Sequence, residues 1–315
     1  VNSQQQINFP EKMGHTWSPL TIDVAAATHR GLVRKNNEDH YLIVEFARAL
    51  KTIDTNLDDA VLERSYELSG YGMIVADGMG GAAGGEVASS MALTRLVELV
   101  VDTPDWFLSL DQEKHAETVL KRMTERFMSV DEALKGRAQN DRSLLGMGTT
   151  LTVAGALGSN LIIGHIGDSR AYLLRESKLN QITSDHTLAQ ALIDAGITKP
   201  EEPASRSMRH VLTAALGAMG KSVEPEMHRL QLTAGDQVLL CTDGLTEMVA
   251  DSLITSVLRE ASSVKRACID LVDLALAAGG LDNITVIVAK FGLPTASDQS
   301  WYGTASEGLS GLRPV

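Results

Sequence analysis

Gly72-Met73-Ile74-Val75-Ala76-Asp77-Gly78-Met79-Gly80-Gly81-Ala82-Ala83-Gly84-Gly85-Glu86 runs from an apolar strand through a single carboxylate and a glycine cluster into a helical segment. The unbroken apolar run reads as a buried strand, and its abrupt stop sets Asp77 at the strand end, facing outward. The glycines lack the Cβ that would hold a ligand away from the backbone. A cation or a phosphate fits that position. The same stretch matches a dinucleotide fingerprint, Gly78-x-Gly80-x-x-Ala83, with Glu98 at about the right distance downstream. Asp77 argues against it, because a carboxylate at the mouth of that turn repels a pyrophosphate, and the rest of the chain lacks βαβ order.

After this stretch, Val87, Met91, Leu93, Leu96, Val97 and Val100 recur on one face of a helix over Glu86–Val101. A second helix over Gln112–Gln139 carries Ala116, Val119, Leu120, Met123, Phe127, Val130 and Leu134 on one stripe, read as core rather than a cofactor contact. Strands are predicted at Thr21–Thr28, Tyr41–Phe46, Thr149–Leu157, Leu161–Ile166, Ala171–Leu174, His228–Leu232, Gln237–Cys241 and Ile284–Lys290. Residues 47–70 read as a charged connection with helical stretches at Ala60–Arg64. Short helices are expected at Thr187–Ala195, Asp251–Glu260 and Val264–Ala278. The order of strands, helix pair, strands, helix pair and strand is not that of a parallel doubly wound sheet. It predicts an α+β fold, a four-layer α-β-β-α sandwich of two antiparallel sheets flanked by helices. Residues 1–20 read as an irregular arm, 21–291 as a single domain and 292–315 as a flexible, Ser/Gly-rich tail.

A net charge of −12 over 315 residues excludes nucleic acid or an anionic membrane as the main partner, since phosphate binding depends on clustered Lys and Arg. No apolar run approaches the ~20 residues of a membrane span and no signal-peptide pattern opens the chain. Cys241 and Cys268 both sit in apolar surroundings, as buried thiols do in a reducing compartment, and a cytoplasmic location is expected. A monomer is the favoured state.

Asp77, Asp243 and Asp282 each stand at a strand boundary beside a glycine or an asparagine, and Asp39 and Asp168 hold similar positions. One Asp-Gly pair is an ordinary turn signal. Five such positions in a β-rich chain suggest convergence, and like charges about 5 Å apart repel by roughly 3 kcal/mol per pair at an effective dielectric near 20. Bound cations would relieve that repulsion. Oxygen ligands without a His/Cys set point to Mg²⁺ or Mn²⁺.

Arg34-Lys35-Asn36-Asn37-Glu38-Asp39, Val75-Ala76-Asp77-Gly78-Met79-Gly80-Gly81, Gly148-Thr149-Thr150, Gly167-Asp168-Ser169-Arg170, Thr242-Asp243-Gly244 and Asp282-Asn283-Ile284-Thr285 follow one another along the chain. This ordered series resembles that of PPM-type (type 2C) metal-dependent serine/threonine protein phosphatases, over about residues 21–291, and the Met79 form resembles the bacterial branch. Six short motifs in the family order are specific where each alone is weak.

The resemblance implies a central β-sandwich with two metals, Mn²⁺ or Mg²⁺, in a channel at one end. It implies that Asp77 bridges both ions, that Gly78 lends its carbonyl to one, and that Asp243 and Asp282 hold the other. Glu38 and Asp39 would order metal-bound waters, Asp168 with Asp243 would hold a third, weaker ion, and Arg34 would receive the substrate phosphate through its planar fork. The implied reaction is hydrolysis of phosphoserine and phosphothreonine by direct attack of a hydroxide shared by the two ions, without a protein nucleophile. Phosphoproteins, and by family analogy a cognate kinase, would be the partners.

Met79 occupies the position where many eukaryotic members carry the histidine thought to protonate the leaving group, and a thioether cannot donate a proton. His40 and His186 lie near motifs, and neither is assigned that role. Residues 186–220 correspond to the family's flap, and Arg206, Arg209 and His210 there are either a solvated basic patch or a contact for acidic phosphopeptides. The competing expectation is a catalytically weak or inactive regulatory module, against which Asp77, Asp243 and Asp282 all remain.

Overall fold

The structure, a computed structural model, describes residues 20–51, 53, 65–80, 84–105, 110, 113–199, 202, 207–218 and 223–293. Its strands are β1 (Thr21–His29), β2 (Asp39–Lys51), β3 (Ser65–Met79), β4 (Gly148–Thr149), β5 (Leu151–Leu157), β6 (Asn160–Ile166), β7 (Arg170–Arg175), β8 (Lys178–Gln181), β9 (Glu226–Gln231), β10 (Gln237–Cys241) and β11 (Ile284–Gly292). The helices are α1 (Gly84–Asp102), α2 (Glu113–Asn140), α3 (Leu188–Asp194), α4 (Asp243–Thr246), α5 (Asp251–Glu260) and α6 (Val264–Ala277).

One sheet runs β1-β11-β10-β7-β8 and the other β2-β3-β5-β6-β9, with β4 paired to the end of β3. All the pairings among the described residues are antiparallel, which removes the dinucleotide-fold reading. The period-2 geometry of strands explains how the layers stack. Met73 and Val75 of β3 and Val238 and Leu240 of β10 turn into the space between the sheets with Ile287 and Phe291. Ile74 and Ala76 turn the other way, onto α1 and α2 through Ala92, Leu96, Phe127 and Leu134. Leu239 and Cys241 likewise meet α5 and α6 through Ile254, Leu258, Cys268 and Leu271. Strands covered on both faces read as unbroken apolar runs, and the resulting four layers are those expected. Both cysteines are buried free thiols.

Two local differences have physical causes. The connection expected over 47–70 is partly strand: β2 continues to Lys51 and β3 begins at Ser65, so that Lys51 faces Ser65 across a ladder of thirteen pairs. The pairing of β2 with β3 simply continues past the expected strand ends. The Ala60–Arg64 stretch, the arm over 1–19 and the tail from 294 lie outside the described residues. Strand β8 was not expected at all. Its hairpin turns on Glu176 (φ 50°) and Ser177 (φ 67°), so the usual Asn-Gly or Asp-Gly signal of such a turn is missing.

Candidate active site

The register of β2 against β3 sets Asp39 opposite Asp77. Across the sandwich, Asp243 starts α4 directly after β10, and Asp282 lies just before β11. Asp168 sits in the turn between β6 and β7. Thr242 and Thr285 close the gap between the two sheets: their Oγ1 atoms donate to Asp39 Oδ2 at 2.9 and 2.7 Å. The Gly148-Thr149-Thr150 motif grips the backbone of Asp77. Its N–H donates to Thr150 Oγ1 (2.9 Å), and its carbonyl accepts from Thr150 N–H (2.9 Å) and Thr149 Oγ1 (2.8 Å). Thr150 Oγ1 also meets Ser169 Oγ at 2.8 Å, which fastens the Asp168 turn to the end of β3.

Asn283 fixes the loop that carries Arg34 and Glu38. Its Oδ1 accepts from Glu38 N–H at 2.7 Å, and its Nδ2 donates to the carbonyls of Arg30 and Asn36, both at 2.9 Å. Arg34 Nη2 then pairs with Asp282 Oδ2 at 2.5 Å. Gly78 is a packing requirement: a Cβ there would stand 2.1 Å from the Gly85 carbonyl oxygen and 2.7 Å from that of Glu38. The first turn of α1 can therefore close over the end of β3.

This convergence is electrostatically costly. Burial, then the charges of Asp243 and Asp282, pushes Asp39 up to about 7 despite its two threonine hydrogen bonds. Burial, with Glu247 and Asp282, pushes Asp243 to about 7 as well, although a hydrogen bond with Asp77 works the other way. Burial beside Asp243 and Asp185 brings Asp168 to about 8. Asp77, buried among Asp39, Asp243, Asp168 and Asp282, stands well above the usual carboxylate range. Burial also raises Glu38, an effect that Arg34 partly offsets. Asp39 Oδ1 and Asp243 Oδ1 are sealed from solvent without a hydrogen-bond partner. Buried carboxylate oxygens of this kind, crowded by like charge, are suited to a divalent cation.

The profile of the protein phosphatase 2C family matches residues 52–274. The chain belongs to that family. It is 37% identical over 270 residues to the serine/threonine protein phosphatase PstP of Mycobacterium tuberculosis, covering 86% of this chain and 45% of PstP; it thus spans less than half of that relative. The protein phosphatase PhpP of Streptococcus pneumoniae is 35% identical over 272 residues, 85% of this chain and 97% of PhpP. A solved structure of the PstP catalytic domain in complex with two manganese ions superposes with a TM-score of 0.67 at 36% identity, covering 87% of this chain and 99% of that one. The two-sheet fold is therefore that of protein phosphatase 2C.

Several contributors to the site were not singled out from sequence. Thr242, Thr285 and Thr150 stand inside the quoted motifs without a role of their own, and their hydrogen bonds to Asp39 and to the Asp77 backbone reveal how they position the site. Glu247 follows Asp243 by one helical turn, its N–H donating to the Asp243 carbonyl at 2.8 Å; that i,i+4 spacing from a site aspartate was the available signal. Of the histidines weighed from sequence, His40 Nδ1 meets Ser89 Oγ at 2.9 Å. His186 Nδ1 accepts from Gly167 N–H at 3.2 Å, which steadies the Asp168 turn. Within the flap, Arg206 lies outside the described residues, and His210 pairs with Glu247.

Proposed function

We propose that the chain hydrolyses phosphoserine and phosphothreonine in proteins with the help of two divalent cations, Mn²⁺ or Mg²⁺. The observation that carries this reading is the set of buried, mutually repelling carboxylates Asp39, Asp77, Asp168 and Asp243, two of which keep a sealed and unpaired oxygen. Asp77, the Gly78 carbonyl, Asp243 and Asp282 would hold the two core ions. Asp168 with Asp243 would take a weaker third, and Glu38 and Asp39 would orient waters around the pair. When bound, the ions lower the pKa of the attacking water and neutralise charge on the phosphoryl oxygens.

The chain's own residues supply the rest. Arg34 is more than half exposed, with Nη2 paired to Asp282; with a cation held at Asp282, the guanidinium would be free to take the incoming phosphate bidentately. Asn283 keeps Arg34 and Glu38 at the site by pinning their loop at three points. Thr242 and Thr285 hold Asp39 in one orientation from across the sandwich. The single helical turn of α4 and the grip of Thr149 and Thr150 fix Asp243 and Asp77, so no side chain has to reorganise as charge develops. Met79, a thioether, gives no proton to the leaving group.

A catalytically inactive binding module would gain nothing from buried carboxylates, and no ligand position has lost its oxygen. Phosphoproteins are the partners this reading implies, with a serine/threonine kinase acting on the same substrates in a reducing cytoplasm. The test is release of phosphate from p-nitrophenyl phosphate and from a phosphothreonine peptide. Turnover with Mn²⁺ and its loss in EDTA are expected. Metal-loaded, folded protein without turnover would refute the proposal.

A further inference from the structure

Three aliphatic side chains stand in solvent at the edge of the charged site. Leu32 is 65% exposed, Val33 63% and Leu281 54%, and each lies within two residues of Arg34 or Asp282, which pair with each other. The two leucines flank one glycine pair: a Cβ on Gly280 would meet Leu32 Cγ at 3.0 Å, and one on Gly279 would meet Leu281 Cδ2 at 3.8 Å. Single exposed leucines are ordinary on a protein surface. A group of them beside a binding site marks a surface that something covers.

The loop that carries Leu32 and Val33 is held in place. Leu32 N–H donates to the Gly280 carbonyl at 2.7 Å, and Asn283 Nδ2 grips the carbonyls of Arg30 and Asn36 on either side of the aliphatic pair. Gly31, at φ 76°, passes so close to the next loop that a Cβ there would stand 2.1 Å from the Asp282 carbonyl oxygen. The same ties that bring Arg34 onto Asp282 thus hold Leu32 and Val33 out in water. A surface fixed in advance pays no ordering entropy when a ligand meets it.

Continuity with the phosphate site says what that ligand is. A phosphorylated side chain held by Arg34 leaves its own main chain at the mouth of the site. Successive residues of an extended peptide are about 3.3–3.6 Å apart, so its near neighbours fall beside Arg34. We propose that Leu32, Val33 and Leu281 form a specificity subsite, selecting substrates with an aliphatic residue within two positions of the phosphorylated serine or threonine. Arg30 and Lys35, both exposed in the same loop, disfavour Lys or Arg at that position by like charge. The inference rests on the reading of Arg34 as the phosphate-binding group.

The test uses the full chain with Mn²⁺ and a phosphothreonine peptide in which one leucine is walked from two positions before the phosphothreonine to two after it. Serine, aspartate and lysine at the same positions serve for comparison. Leucine at one position should raise kcat/KM about fivefold over serine, as partial burial of one aliphatic side chain on an open surface would, and the gain should lie in KM. In Leu32→Ser and in Leu281→Ser the leucine-to-serine ratio should fall towards one, and Leu32→Met should keep it. The ratio compares two peptides on one enzyme, so a loss of folded protein does not move it. Peptides with a non-hydrolysable phosphonate in place of the phosphate, read by fluorescence anisotropy, should bind in the same order. A ratio of one at every position, a ratio unchanged in both serine variants, or aspartate favoured as strongly as leucine would overturn the subsite. Hydrolysis of p-nitrophenyl phosphate without any peptide preference removes the subsite and leaves the phosphatase reading intact. Leucine-dependent phosphonate binding without turnover of any substrate does the reverse.

Discussion

Replacing Asp39 by asparagine should stabilise the protein when it is free of cations and weaken it when cations are bound. Asp39 is fully buried opposite Asp77, and its folded-state pKa is pushed from 3.8 to about 7. A carboxylate whose folded pKa lies above its unfolded value costs nothing below about pH 4, where both states are protonated. The cost grows as pH rises and is complete above about pH 7. At about 1.4 kcal/mol per pH unit, Asp39 alone costs the metal-free fold roughly 4 kcal/mol at pH 8 and about 2 kcal/mol at pH 5. Asparagine keeps a carbonyl oxygen for the hydroxyls of Thr242 and Thr285 and carries no charge. In EDTA at pH 8, Asp39→Asn should melt about 5–8 °C above wild type, at about 2 °C per kcal/mol for a chain of this size, and the gain should shrink by about half at pH 5. In saturating Mn²⁺ the order should reverse, because wild type gains binding energy from a carboxylate that the variant lacks. Thermal melts across these three conditions decide it. A variant that melts at or below wild type in EDTA at pH 8 would show that the threonine hydrogen bonds outweigh the crowding of charge, and the electrostatic account of the site would fall.

Asp77→Asn and Asp282→Asn should each lower kcat by about a hundredfold or more, while Asp168→Asn should cost about tenfold and leave two Mn²⁺ ions bound by titration; near-wild-type turnover of Asp282→Asn would overturn the assignment of ligands. A Cβ at Gly244 would stand 1.9 Å from the Asn283 carbonyl oxygen, with backbone on both sides of the clash. Gly244→Ala should therefore destabilise by about 3 kcal/mol or more, read by urea denaturation. Gly136, in α2, has nothing within 4 Å of its would-be Cβ, and Gly136→Ala should stabilise by about 0.5–1 kcal/mol in the same assay.

Legibility from sequence followed the range of the interactions involved. Asp77, Asp243 and Asp282 were visible because each ends or precedes a strand beside a residue with its own turn chemistry, and that pattern lies within a few positions of the chain. The layers were visible because strands covered on both faces show unbroken apolar runs, which survive without knowledge of their partners. Strand β8 was not visible, because its turn uses Glu176 and Ser177 at positive φ in place of glycine or asparagine. Thr285 holds Asp39 across a separation of 246 residues, and Thr242 across 203. Both stand inside short motifs, but nothing local there shows that their hydroxyls reach Asp39. Glu247 and His210 are a similar case, since the acidic partner lies one turn from a site aspartate while the imidazole arrives on the flap from the other direction along the chain. The motifs thus identify which residues carry charge into the site. The interleaving of the two sheets decides how that charge is held, through threonine hydroxyls on Asp39 and through glycines that let backbone meet backbone beside the site.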